Sequence, residues 1–139
     1  MNALELPVRR LIDEGFSGGD LSVADAVVAP DMAEHQDFGP GHPAGPEGAR
    51  RVMASLRRAF PDFALTIVDV GVDGDVVWTR NVATGTDLGG FMGHPPTGRP
   101  IRIDVVDVFR VRDGRIVEHW GVPDRLGALR QLGHVGRPG

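Results

Sequence analysis

The sequence of 139 residues contains no cysteine. Disulfide bonds, thiolate zinc sites and cysteine nucleophiles are therefore excluded. It has no tyrosine either, so no phenol can act as acid, base or oxyanion donor. That task would fall to a protonated acid, a histidine, an indole or a backbone amide. Aromatic residues make up only 6% of the chain, which makes the placement of Trp78 and Trp120 worth predicting. No apolar run approaches the roughly 20 residues that cross a bilayer as a helix. There is no surplus of positive charge: the formal net charge is −4, which argues against a nucleic-acid surface. No G-x-G-x-x-G follows a strand pattern, the P-loop pattern is missing, and there is no G-x-S-x-G elbow. The first 15 residues form an amphipathic pattern of mixed charge, unlike a secretory signal. Together with the absence of cysteine, this points to a cytoplasmic protein with no membrane partner.

What is present suits one folded domain over residues 1–139, with 41% hydrophobic and 24% charged residues. Leu4, Val8, Leu11, Ile12 and Phe16 follow helical spacing, and Gly18-Gly19 ends that helix. A second short helix carries Leu21, Val23, Val27 and Val28 and stops at Pro30-Asp31. Met32–Phe38 reads as a short extended segment, followed by a Gly/Pro loop. Glu47–Phe60 is the clearest helix, with Val52, Met53, Leu56 and Phe60 on one face. Phe63, Leu65 and Ile67 alternate as in a half-buried strand, and Asp73-Gly74 turns the chain into a strand over Val76–Thr86. The loop Asp87–Pro100 leads to two final strands, and a short helix covers Asp124–Leu132. The expected fold is α+β: a curved antiparallel sheet, with three N-terminal helices closing one face over a pocket.

The candidate chemistry lies in Asp104–Asp124. Asp113-Gly114 is a hairpin signal between two β-rich runs. A three-residue loop Arg112-Asp113-Gly114 would face Val111 with Arg115, and hence Asp107 with His119. Directly opposed residues lie about 5 Å apart at Cβ, within reach of a carboxylate–imidazole hydrogen bond. A slip of one residue would separate the two onto opposite faces. Asp107 sits among Val105, Val106, Val108 and Phe109, so it either enters a pocket or pairs with a buried cation. Burial would raise its pKa and a neighbouring imidazolium would lower it. His119 could then shuttle a proton, while Trp120 points to the other face. His35 stands in the polar cluster Glu34-His35-Gln36-Asp37 near the expected pocket mouth and is the third catalytic candidate. Trp78, Glu34, Phe38, Val105, Phe91 and Met92 are the candidate substrate contacts, the last two on a glycine-rich loop that reads either as a lid or as a rigid connection. His35, Asp107 and His119 lack a local metal-ligand spacing, so no metal is expected.

Several segments, in this order, resemble the SnoaL-like polyketide cyclase (ester cyclase) group of the NTF2-like superfamily. They are His35, Phe60-Pro61-Asp62, Gly85-Thr86 with Gly89 and Phe91, Gly93–Arg99, Phe109-Arg110 with Asp113–Trp120, and Pro123–Gly133. The resemblance implies a cone-shaped α+β barrel, a homodimer through the convex sheet face, a deep apolar pocket and cofactor-free acid–base chemistry on a small hydrophobic substrate. It also implies a rearranged site. The acid/base aspartate of the nogalamycin- and aclacinomycin-type cyclases falls on Gly121, its associated histidine on Asp107, and the glutamine before that on Val105. Asp107 and His119 would then rebuild the pair nearby. Cyclisation of a carbonyl-bearing, polyketide-like molecule is the leading expectation. Epoxide opening or hydroxylation, with Glu34 or Asp37 beside Asp107, is a second, and a non-catalytic small-molecule-binding dimer is a third.

Overall fold

A computed structural model describes residues 1–136; the last three residues of the domain expected over 1–139 lie outside the described part. Helix α1 (Glu5–Arg10) runs on as a π-helical stretch, Leu11–Ser17. A short helix α2 (Val23–Val27) leads straight into strand β1 (Val28–Glu34). Helix α3 (Gly45–Ala59) follows, then β2 (Ala64–Asp73), β3 (Val76–Thr86), β4 (Pro100–Arg112), β5 (Arg115–Pro123) and helix α4 (Arg125–Gln131). The five strands form one sheet in the order β1-β5-β4-β3-β2.

Two expectations are corrected here. The sheet is not wholly antiparallel, because β1 pairs in parallel with β5. β1 also begins at Val28, earlier than the expected Met32, and runs through Pro30. Proline lacks a backbone donor, but at the edge of a sheet that donor is not required.

Alternation decides which side chains face inward. β3 sends Val77, Thr79, Asn81 and Ala83 to one face, all buried, while Trp78 and Arg80 between them are exposed. β4 sends Ile101, Ile103, Asp107, Phe109 and Val111 to the same face. The two sets coincide because the ladder pairs Val77 with Phe109 and Ala83 with Ile103. Irregularities between Ile67 and Asp69 in β2, and between Arg110 and Val111 opposite β5, add local twist and curvature. The concave face is covered by the apolar stripes of α1, its π-helical continuation and α3. Val8, Leu11, Ile12, Met53 and Phe60 join one core with Val28, Val77, Phe109 and Ile116.

Two polar devices hold this cover in place. Ser17 Oγ donates to the Leu65 carbonyl and accepts from the Leu65 amide, both at 2.8 Å, so the end of the π-helical stretch is fastened to β2. Arg57 of α3 donates through Nη2 to the carbonyls of Phe16 (2.8 Å) and Ser17 (3.0 Å), which the helix end leaves without intrahelical partners.

Candidate active site

The hairpin that carries the candidate pair closes more tightly than the three-residue loop expected from the sequence. Asp113 (φ 52°) and Gly114 (φ 73°) are both left-handed, the signature of a two-residue type I′ turn. Arg112 therefore faces Arg115. Continued without interruption, that register would set Asp107 against Trp120 and send His119 to the outer face. A bulge prevents this: Val111 pairs with Ile116 but Arg110 pairs with Glu118, so Val117 is an extra residue. Asp107 thus lies opposite Gly121, and His119 opposite Phe109. The expected direct Asp107–His119 pairing is corrected to a diagonal one on the same face, and the side chains still meet.

They meet in a cavity of about 530 Å³ between the sheet and the helices. Its wall is largely apolar, with Leu11, Ile12, Phe60, Ile103, Val105 and Phe109 among the lining residues. Gln36, Arg51, Ser55 and Arg125 are among its polar lining residues, and within it three further side chains form a hydrogen-bonded chain. His119 Nε2 donates to Asp107 Oδ1 at 2.8 Å, and His119 Nδ1 donates to Glu34 Oε2 at 2.6 Å. Asp107 Oδ2 accepts from Asn81 Nδ2 at 2.9 Å, and the same nitrogen reaches Thr79 Oγ1 at 2.9 Å. The ring of Phe109 packs tilted on the His119 ring, with centroids 5.0 Å apart.

Electrostatics follow from this arrangement. Burial alone would push the imidazole pKa down, because it penalises the charged form. Hydrogen bonds to Asp107 and to Glu34, with the charges behind them, overcome that penalty and raise it from 6.5 to about 9. His119 is consequently an imidazolium at neutral pH, with both ring N–H groups directed at carboxylates. The His119 cation thus sits between two acidic side chains inside an apolar wall, the kind of setting in which fixed charges act strongly.

The other sequence candidates divide between the two faces. Phe38, Val105, Phe91 and Met92 line the cavity, and so does Glu34, whose carboxylate is bound to His119 rather than standing free. His35 does not reach the cavity. Its backbone N–H bonds the His119 carbonyl (2.9 Å), so β1 continues here beside β5 and alternates Glu34 inward, His35 outward, Gln36 inward. The His35 ring stacks on Trp120 at 4.8 Å, and its Nε2 lies 2.7 Å from Glu118 Oε2. Trp78 is also outside the cavity, 43% exposed on the convex face. Trp120, as expected, points away from His119's face.

Sequence reasoning overlooked Asn81 and Gln36. Asn81 is a polar residue in phase with Val77 and Ala83, a signal that was legible. Gln36 shares the phase of Glu34. The loop after β3 is organised by Asp87, which is fully buried. Its carboxylate accepts from the Gly90 and Thr97 amides and from Thr97 Oγ1, each at 3.0 Å. That clamp sets Phe91 against Phe60, with ring centroids 5.5 Å apart. Among the described residues, no group of three or more His, Asp or Glu side chains has metal-holding geometry.

Comparison with known proteins agrees with the fold. The model of the SnoaL-like polyketide cyclase family matches residues 7–132. The aklanonic acid methyl ester cyclase DauD of Streptomyces sp. (strain C5) is 30% identical over 134 residues, covering 91% of this chain and 79% of its own. The nogalonic acid methyl ester cyclase of Streptomyces nogalater is 29% identical over 120 residues, covering 85% and 89%. Among solved structures, wild-type IdmH from Streptomyces antibioticus superposes with a TM-score of 0.81 at 40% identity, covering 95% of this chain and 99% of that one. TsrD from Streptomyces laurentii superposes with a TM-score of 0.86 at 27% identity, covering 96% of each.

Proposed function

The chain belongs to the SnoaL-like polyketide cyclase family, and on that premise we propose that it closes a carbon ring in a polyketide-like ester by an intramolecular aldol reaction, with Asp107 as the base. The observation that carries this reading is the Glu34–His119–Asp107 chain inside an apolar cavity of about 530 Å³. The Asp107 carboxylate takes a proton from carbon between two carbonyl groups. The resulting enolate carbon forms a bond to a ketone carbon of the same molecule. The new alkoxide takes the proton back from Asp107, so no electrons are gained or lost and no co-reactant is consumed. His119 stays protonated throughout. Its positive charge favours the enolate, and its two hydrogen bonds hold both carboxylates in place. The cavity wall folds the substrate so that the two reacting carbons meet, which replaces a bimolecular encounter with an oriented one.

The test is turnover of aromatic polyketide methyl esters by the wild type, Asp107→Asn and His119→Gln. Loss of a general base costs on the order of 100-fold or more in kcat. We expect that loss in Asp107→Asn, and a smaller one in His119→Gln. Wild-type turnover retained in Asp107→Asn would overturn the assignment. Glu34 and Asp107 do reach one cavity, as the epoxide-opening reading requires, so an epoxide belongs in the same panel, and a diol product would favour that chemistry.

The same proposal includes a cytoplasmic homodimer. The convex sheet face carries Trp78, Val106 and Val122, 43%, 42% and 70% exposed, beside Val108 and Trp120. A second copy of the chain would cover this apolar stripe. No helix of the described residues is long and apolar enough to cross a membrane.

A further inference from the structure

The cavity contains a polar group that the acid–base step does not use. Gln36 lies two residues beyond Glu34, and its backbone N–H donates to Glu34 Oε2 at 3.1 Å. Its side chain reaches the cavity wall. Its carboxamide oxygen lies directly over Gly121: a Cβ built there would collide with Gln36 Oε1, and would come within 2.9 Å of Asp107 Oδ1 and 3.0 Å of His119 Cε1. Gly121 is Asp107's partner across the ladder. The position opposite the base is thus empty on β5 and filled by an amide reaching over from the strand beside it. None of the hydrogen bonds among the described residues engages that carboxamide, which leaves two N–H donors free to serve something in the cavity.

We propose that Gln36 is a further catalytic residue, whose carboxamide N–H groups hydrogen-bond the carbonyl oxygen of the unit that Asp107 deprotonates, and that Gly121 is glycine to leave room for it. This rests on the acid–base reading above. The oxygen that gains charge as the enolate forms needs a donor. The sequence has no tyrosine, and both N–H groups of His119 already go to carboxylates. Arg51, Ser55 and Arg125 also line the cavity, and the Asn81 amide is engaged by Asp107 and Thr79; Gln36 is the unengaged neutral amide beside the same two residues. A neutral amide does not surrender a proton to Asp107 and does not pair with either carboxylate as a cation would. The ligand class follows: a planar ketone or ester carbonyl presented edge-on to the amide.

The experiment measures kcat and KM on an aromatic polyketide methyl ester for Gln36→Leu, Gln36→Glu, Gly121→Ala and the Gln36→Leu/Gly121→Ala double variant. Removing one such donor lowers kcat about 100-fold. Gln36→Glu, nearly the same shape without the N–H donors, should lose as much as Gln36→Leu. Gly121→Ala should lose at least as much, because its methyl group expels the amide and also presses on Asp107 Oδ1, and the double variant should be no worse than the worst single. A kcat in Gln36→Leu close to that of the wild type, or losses that multiply in the double variant, would overturn the proposal. Calorimetric binding of an inert hydroxyanthraquinone methyl ester supplies a readout independent of turnover. A lost hydrogen bond of this kind weakens binding roughly 10-fold. If the wild type closes no ring yet this weakening and its non-additivity persist, the aldol reading has failed and the Gln36 contact stands. If the wild type closes rings while Gln36→Leu alters neither turnover nor binding, only the Gln36 proposal falls.

Discussion

His119 shows how two opposing effects resolve at one residue. Its burial costs the charged form, but two carboxylates at 2.6 and 2.8 Å more than compensate. Its folded pKa, about 9, lies above the unfolded value near 6.5. The stability this contributes is therefore complete below pH 6.5 and is lost as pH rises through 9. The shift corresponds to about 3 kcal/mol as an upper figure. Urea unfolding at pH 6, 7.5 and 9.5 should show stability falling across that window. His119→Gln should flatten the fall while lowering stability at pH 6, because Asp107 and Glu34 then lose their cation. A wild-type stability that does not change between pH 6.5 and 9 would show that the imidazole is neutral in the folded protein. At this scale the sequence was informative where a charged residue interrupts an apolar strand, as Asp107 does. It was misleading at His35. Glu34 and His35 are neighbours on an extended chain, so one of them must face outward, and only the pairing of β1 with β5 decides which.

At the scale of elements, the β4–β5 hairpin carries two features that the sequence does not display. The Asp113-Gly114 turn is one residue shorter than the loop read from the pattern, and Val117 is one residue too many for a regular ladder. Each changes the phase of β5 by one residue, and together they leave His119 on the face the pattern suggested. The correct face was thus reached through an incorrect register, since a turn signal is local whereas a bulge is set by what the strand must pack against. The loop after β3 is a second case. Its glycines and prolines left open whether it is a lid or a rigid connection, and the buried Asp87 carboxylate shows it clamped at three points. Asp87→Ala leaves those donors unanswered, at about 1–3 kcal/mol in stability. We expect that loss in urea unfolding, with KM rising more than kcat falls because Phe91 and Met92 lose their placement. An unchanged KM would separate the loop from substrate binding.

For the whole molecule, the curved sheet has two faces with different duties. The concave one is sealed by α1, α3 and the π-helical stretch around the cavity. The convex one leaves Trp78, Val106 and Val122 in the open, where a second copy is proposed to sit. Val106→Asp and Val122→Asp place a charge on that stripe far from the cavity. Light scattering should give twice the chain mass for the wild type and the chain mass for the paired variant, with the cavity residues unaltered. A wild type that is monomeric at micromolar concentration would remove the dimer from the proposal.

The sequence by itself determined the order and type of nearly every element, the apolar faces of α1 and α3, the alternation of β3 and β4, and the carboxylate of Asp107 set within an apolar strand. These depend on periodicity and on turn residues, which act over a few positions and so are written locally. Only the tertiary structure decided that β1 joins the sheet parallel to β5, that Glu34 takes the second nitrogen of His119, that Gln36 occupies the space over Gly121, and that His35 and Trp78 lie outside. Those outcomes depend on strand register and on which edge pairs with which. Their energies come from residues about 85 positions apart meeting, and no local pattern in the chain encodes that meeting.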